Sequence, residues 1–486
     1  MGDAVEKHDI SDDLLAVIDR ARRAQVGWSA LGWRQRRTLL RKLASAVARD
    51  DELARAVTLD TGKPLFEAVG FELGYVCEVI RYFTGRAGRL TLAESKRSSL
   101  IFPHKRVRVA WRPRGVVAVI GPSNFPLLNN FGDAVAPLVA GNAVVLKPSP
   151  RTPRASRRMA ELWHQAGLPA DVFQVVEGES ETGQALIAAV DMVFFTGSLA
   201  AGKHVARQAG ERLIPCVAEL GGKSAMIVLA DADVPAAARA AVWGAFAGGG
   251  QVCIRVERVF VEESIADAFS HLVVEETARL RVGGAGACQA GPAEEFDVGP
   301  VLVESQIERY QAQVDDAVVR GARLLAGRRR LGGVWQPTVL DHVSPQAAVV
   351  CQETFGPLLP IVRVRDGDEA VALTNGSELG LSGAVWSGNP VRARNLARNL
   401  QTGSVCINDI LVNYFCVSGP LGAARRAGLG FRHGPEALHQ FCYPQTVVED
   451  RPILRPLAVW LRRQLGFPYR GRVLGVLRWL LKAIYR

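Results

Sequence analysis

The chain is predicted to fold as an α/β protein built from two parallel-sheet units, and three observations carry that prediction. Short β-branched runs recur at Val116–Ile120, Ala143–Leu146, Val172–Val176 and Met192–Phe195, interleaved with helical stretches at 129–140, 154–166, 181–190 and 199–209. Strands that are apolar on both faces belong in a sheet covered by helices, and such sheets hold ligands at the carboxyl ends of their strands. After Glu219-Leu220-Gly221-Gly222-Lys223 the alternation starts again: Ala225–Leu229 precedes a helix from Pro235, Arg258–Val261 one from Ile265, and Ala384–Trp386 one from Pro390. A length of 486 residues, 48% of them hydrophobic and 22% charged, leaves ample core for two or three domains, with no internal repeat.

Residues 11–86 read as helical, with apolar residues at helical spacing in Leu14–Ile18 and Leu39–Leu43. Residues 99–114 alternate basic and apolar in their middle, which predicts an exposed strand able to pair with another subunit. Eight cysteines show no CxxC and no paired short spacing, so neither a metal cluster nor a disulfide framework is expected, and a reducing compartment is. The polar start, Met1–Glu6, shows no signal peptide. Nine of the basic residues lie between Arg451 and Arg486, where there is no acid; without them the net charge of +11 falls to +2. A near-neutral body argues against nucleic-acid binding and makes the tail a separate question.

Most strands of the first unit end in a residue suited to chemistry. Asn124, in Pro122-Ser123-Asn124-Phe125-Pro126, could donate its amide to an oxyanion or serve as a turn residue. Lys147, in Lys147-Pro148-Ser149-Pro150, suits ribose or phosphate, or simply solvent. Thr196-Gly197-Ser198 opens a helix, where free N–H groups favour a pyrophosphate as readily as an ordinary N-cap. Glu219, entering an apolar site, would have a raised pKa and could act as a general base, or it could be half of a buried ion pair. Glu353-Thr354-Phe355-Gly356-Pro357 offers a carboxylate for a sugar hydroxyl and a ring for a flat ligand, or a capped turn. The glycine run before Gln251-Val252-Cys253 leaves a thiol uncrowded, and Arg255 and Arg258 could favour its thiolate, with Glu257 offsetting part of the effect.

In order and spacing, Ser123-Asn124-Phe125-Pro126, Lys147-Pro148-Ser149, Phe195-Thr196-Gly197-Ser198, Glu219–Lys223, Gln251-Val252-Cys253 and Glu353–Pro357 resemble the aldehyde dehydrogenase superfamily, from about residue 15 to 449. The resemblance implies an aldehyde-dehydrogenase-like α/β fold. Its parts would be a Rossmann-type nucleotide-binding domain (1–98 and 115–221), a catalytic domain (222–430) and a β-strand oligomerisation arm (99–114 and 436–449) that builds a homodimer or homotetramer. It further implies NAD(P)-dependent, non-acylating oxidation of an aldehyde to an acid. Cys253 would attack the aldehyde, its own N–H and the Asn124 amide would hold the oxyanion, and Glu219 would activate the hydrolytic water. Lys147 and Glu353 would bind the riboses of NAD or NADP, with Ser149, Thr196, Gly197, Ser198 and Gly221 around the cofactor and Phe355 near the nicotinamide. No metal is expected.

The chain departs from the family in four places. Ser123 stands where many members have tryptophan, which widens the expected substrate tunnel. Pro150 replaces a glutamate that helps select NAD, and Arg151 beside it admits NADP. Pro420–Gly428 is looser than the family's usual motif. Arg432 falls where some members carry a glutamate of a proton relay.

The tail, 451–486, extends past the usual end. In a helix from Arg472 the residues Arg472, Gly475, Arg478, Lys482 and Arg486 form one stripe on an otherwise apolar surface. No uncharged run reaches the roughly 18–20 residues that span a bilayer. The pattern fits a helix lying in an anionic membrane interface, on the cytoplasmic face, with packing on the enzyme's own surface as the other reading. Membrane attachment would suit a hydrophobic or long-chain aldehyde; a small acidic semialdehyde such as succinate semialdehyde and a catalytically silent scaffold are the alternatives.

Overall fold

The computed structural model describes residues 11–85, 93–96, 102–283, 296–331 and 334–484. The first six-stranded sheet runs, in spatial order, Gly428–Leu429, Cys216–Glu219, Met192–Thr196, Val116–Ile120, Ala143–Lys147, Phe173–Val175. All neighbours are parallel except the pair formed by Gly428–Leu429 and Cys216–Glu219. The strand 116–120 is central because it is first in sequence and the later strands add on both of its sides. The sheet therefore reverses its order between 116–120 and 192–196, the position at which open α/β sheets form a ligand crevice. The helices that cover it fall where the apolar spacing placed them, at Phe131–Ala140, Arg154–Gln165, Ser180–Ala189 and Leu199–Glu211. The first of these is buried at every position, since it packs between the sheet and the helices Trp33–Val47, Gly74–Phe83 and Gly434–Gln440.

The second sheet has seven strands, in the order Arg323–Ala326, Thr338–Asp341, Leu358–Val364, Arg258–Glu262, Ala225–Val228, Ser382–Trp386, Ser404–Ile407. It too is parallel apart from its first edge strand. A three-stranded antiparallel sheet stands apart from both, with Lys105–Pro113 paired to Ala93–Lys96 on one side and Cys442–Asp450 on the other. The basic-apolar strand expected within 99–114 is thus present at 105–113; residues 99–101 lie outside the described residues.

Two assignments differ from the sequence reading. Ala93–Lys96 joins the antiparallel sheet and not the first unit, and Gly428–Leu429 crosses back from the second unit to edge the first sheet. Both are short antiparallel pairings between segments distant in sequence, which local periodicity does not encode.

The N-terminal region is helical as read: Asp12–Ala30, Trp33–Val47, Asp51–Thr61 and Gly74–Phe83. Before the last of these the chain widens into a π-helical segment, Ala68–Leu73, a form often found beside functional sites. At the other end the tail forms helices Arg455–Leu465 and Gly471–Ile484. Apart from Ala458 their described side chains are not buried, and Ile453, Trp460, Phe467, Leu474, Val476 and Trp479 face outward. Among the described residues no helix is long and apolar enough to cross a membrane.

Candidate active site

Cys253 follows a helix, Val234–Phe246, whose N-terminus is capped by Asp233 accepting a hydrogen bond from the Ala236 N–H at 3.0 Å. The next turn carries Gly248, Gly249 and Gly250 in the left-handed region, where residues with a Cβ are disfavoured. A Cβ on Gly250 would lie 2.4 Å from the carbonyl carbon of Gly356. The glycine run therefore presses the cysteine loop against the turn that carries Glu353 and Phe355.

That turn is held from beneath by Glu257. Its carboxylate accepts from the Thr354 N–H (3.1 Å), the Phe355 N–H (2.9 Å), Lys223 Nζ (2.5 Å) and Arg255 Nε (2.8 Å). Although burial alone would raise it, the two cations and these bonds hold the Glu257 carboxyl well below the usual range. Arg255 Nη1 donates to the carbonyls of Ala245, Val256 and Leu358, while Arg258 bonds those of Val350 and Thr374. The expectation that these two arginines favour the thiolate is therefore corrected: both turn into the core, because a buried guanidinium needs every acceptor it can reach.

The thiol of Cys253 is pushed up to about 11 by burial, with Glu219 and Glu353 adding to the rise, and the cation that opposes it is Arg432. Asn124, Lys147, Ser149, Thr196, Gly197, Ser198, Glu219, Gly221, Cys253, Glu353 and Phe355, all eleven residues singled out by sequence, line one cavity of about 440 Å³. It opens at the carboxyl ends of the strands of the first sheet.

Within it, the Asn124 amide donates to the Gln251 carbonyl at 2.7 Å, which ties the first sheet to the cysteine loop. Lys147 is buried at the end of its strand, where Nζ reaches the Pro148 carbonyl at 3.3 Å and burial lowers its pKa against the pull of Glu179 and Glu181. Ser198 caps the helix Leu199–Glu211 by accepting from the Ala201 N–H at 3.3 Å. The Ser149 hydroxyl accepts from the Arg151 N–H at 3.3 Å. Glu353 accepts from the Gly222 N–H at 3.1 Å, and a Cβ on Gly221 would sit 2.2 Å from its Oε1, so only glycine admits the carboxylate there. Burial pushes both Glu219 and Glu353 up to about 7.

A helix N-terminus, a lysine and a carboxylate spaced around a cleft of this size fit a dinucleotide's pyrophosphate and sugar hydroxyls.

Cys253 and Asn129 also line a second, apolar space beside the cleft, a narrow throat walled by Phe71, Phe125, Leu128, Trp243, Leu411 and Phe415. Phe71, Trp243 and Ala247 belong in turn to a wider cavity of about 780 Å³, which includes Phe66, Val69, Phe246 and Phe296. The sulfur thus stands between a polar cleft and an apolar passage.

Several residues of the site were not found from sequence. Lys63, in the helical N-terminal region, donates to Glu72 at 2.5 Å and to the Asn124 carbonyl at 2.9 Å, and Glu72 in turn accepts from the Leu127 and Leu128 N–H groups at 2.8 and 3.1 Å. Asp133, Asn129 and Tyr414 surround Arg432. No local pattern marks them, since each also bonds a partner far along the chain, as Lys63 does the Asn124 carbonyl and Tyr414 does Asn129.

The model of the aldehyde dehydrogenase family matches residues 7–447. The chain is 36% identical over 455 residues to a 4,4'-diapolycopene aldehyde oxidase of Methylomonas sp, covering 93% of this chain and 83% of that one. It is 35% identical over 448 residues to a Mycolicibacterium smegmatis protein provisionally named succinate-semialdehyde dehydrogenase [NADP(+)], covering 91% and 85%. Among solved structures, the NADP-dependent glyceraldehyde-3-phosphate dehydrogenase of Bacillus halodurans, complexed with NADP, aligns with a TM-score of 0.84 and 32% identity over 90% of this chain and 91% of that one. With its fold and nearly its whole length matched, the chain belongs to the aldehyde dehydrogenase family.

Proposed function

We propose that the protein oxidises a hydrophobic or long-chain aldehyde to its carboxylic acid with NAD or NADP. The observation that carries this reading is the position of Cys253, where a cleft fitted to a dinucleotide meets an apolar passage. Solved relatives bound to NAD and to NADP support either cofactor.

An aldehyde entering through the passage brings its carbonyl carbon to the sulfur. The thiol reacts as its thiolate, its proton passing to solvent through the cleft. Attack forms a thiohemiacetal whose oxyanion the Cys253 N–H and the Asn124 amide hold, once that amide turns from the Gln251 carbonyl. Loss of hydride to the bound dinucleotide, the one service the cofactor supplies, leaves a thioester. Glu219 then takes a proton from water, which attacks the thioester and releases the acid and the free thiol. Lys147 and Glu353 would hold the ribose hydroxyls of a bound dinucleotide and the N-terminus at Ser198 its pyrophosphate, with Ser149, Thr196, Gly197 and Gly221 shaping the binding surface and Phe355 serving the nicotinamide.

Among the described residues lining the throat none is cationic, so a substrate carboxylate would pass it unpaired at a cost of several kcal/mol. The relative named for a polyene aldehyde agrees with an apolar substrate. The relative named for succinate semialdehyde favours a second reading, oxidation of a small acidic aldehyde. Steady-state rates with aldehydes of increasing chain length, each tested with NAD and with NADP, decide between the two. The expected result is a kcat/KM that climbs with chain length, and preference for succinate semialdehyde would overturn it.

In this reading the first sheet belongs to a nucleotide-binding part, the second to a catalytic part, and the antiparallel sheet serves as an arm that also takes in Ala93–Lys96. Among the described residues the exposed strand Cys442–Asp450 has one edge free of any strand of its own sheet, which suits pairing with a second copy in a dimer or tetramer. The tail helices, basic and tryptophan-bearing, suit an anionic membrane surface.

A further inference from the structure

Arg432 is a buried cation beside the cleft, and nothing in the reaction outlined above uses it. It lies on the strand Phe431–Arg432 and reaches into the wall of the cleft at 5% exposure. Its Nη1 donates to the Tyr414 hydroxyl and to Asn129 Oδ1 (2.7 Å) and lies 3.4 Å from Asp133 Oδ1. Nη2 donates to Thr196 Oγ1 at 3.1 Å. The guanidinium also lies over the rings of Phe194 and Tyr414, 5.5 and 5.2 Å from their centres.

One donor remains. Arg432 Nε faces Glu219 Oε1 across 3.9 Å, and both atoms are buried without a hydrogen-bond partner. Two unpartnered polar atoms of opposite charge, each inside a side chain more than nine-tenths buried, are costly unless they serve one another.

We infer that Arg432 is a positioning residue for Glu219, fixing the carboxylate beside Cys253 and keeping it ionised for its work on water. This rests on the reading of Glu219 as the base. An arginine suits the task because it keeps its charge and its planar fork can be clamped by several acceptors while one edge faces the carboxylate. Asp133 opposes it. This second buried acid, itself raised by burial to about 7, shares the same guanidinium and raises Glu219 by repulsion, so a single cation faces two acids. The other titratable groups facing the pair are Cys253, Tyr75, Tyr414, His433 and, across the cleft, Glu353. Burial holds His433 down to about 3 and both tyrosines well above their ordinary value, so in the neutral range these three stay uncharged.

The test compares kcat against pH with the size of the first-turnover burst of reduced nicotinamide. Arg432→Gln should keep the burst while the rising limb of kcat moves up by about one pH unit, a loss of about fivefold at pH 7. Arg432→Lys, which keeps the charge, should move the limb less. Asp133→Asn removes the competing anion and should move it down, a change of opposite sign that general loosening of the fold would not produce. If Arg432→Gln does not fold, the opposed shifts of the other two variants still decide. A lower kcat on an unshifted profile, or shifts of one sign in all variants, overturns the inference while Glu219→Gln remains slow. If Glu219→Gln turns over normally, the role of the base falls, and this inference falls with it.

Discussion

At the scale of single residues, the site depends on burial raising what neighbouring charges lower. Glu219 is pushed up to about 7 by desolvation, with Asp133 adding to the rise and Arg432 opposing it. A base must be ionised to work, so its raised pKa means that activity appears as pH rises. Turnover limited by thioester hydrolysis should climb through about pH 7, and a kcat that is flat from about pH 6 to about pH 8 would contradict this. Glu219→Gln should still give a first-turnover burst with slow turnover after it, whereas an unaltered steady-state rate would remove Glu219 from the mechanism. Of the residues that make up this balance, Cys253, Glu219 and Asn124 were legible in the sequence because their neighbours in the chain are distinctive. Asp133, Asn129 and Tyr414 were not, because each meets Arg432 only in three dimensions.

At the scale of elements, the turn Glu353–Pro357 is placed by a buried ion cluster and not by its own sequence. Glu257 holds two cations and two backbone N–H groups, and its folded pKa lies below the ordinary 4.5. Its contribution to stability is therefore present above about pH 4.5 and is lost as the pH falls toward the folded value. Glu257→Gln leaves Lys223 and Arg255 buried without their anion and should cost about 3 kcal/mol or more, read from chemical unfolding. A loss of less than about 1 kcal/mol would show that the cluster does not hold the turn. The cofactor contact of Glu353 should weaken as well, visible as a raised KM for NAD or NADP. The strand and helix order of the first unit was readable from continuous β-branched runs alternating with helical spacing, whereas in the second unit only the strands near 225–229, 258–261 and 384–386 were, and Arg323–Ala326, Thr338–Asp341, Leu358–Val364 and Ser404–Ile407 were not. The cross-unit strand Gly428–Leu429 was not readable, since two residues carry no periodicity.

At the scale of the whole molecule, the enzyme body and the tail obey different rules. The body is nearly neutral, and nine basic residues follow Asp450. Truncation after Asp450 should leave aldehyde oxidation intact and abolish sedimentation with anionic vesicles, and equal binding by the truncated and full-length proteins would remove the membrane reading. The arm predicts association, so sedimentation in solution should show twice or four times the 52.5 kDa chain; a monomer would leave the exposed strand Cys442–Asp450 without its proposed partner. Arg462 bonds Asp450, and Arg451 donates to the Lys105 carbonyl, so the tail begins anchored to the arm sheet.

The sequence alone determined the family, the α/β class, the alternation of the first unit and the motif residues that line the cleft with Cys253, because periodicity and short glycine-bearing motifs are local and survive in one dimension. Only the tertiary structure decided which charge faces which. Arg255 and Arg258, close to the thiol in sequence, turn away into the core, and Arg432, 179 residues further on by its number in the chain, takes the place beside Glu219. The physical reason is that a buried charge goes where its acceptors converge, and that convergence is set by the packing of the two units and not by distance along the chain.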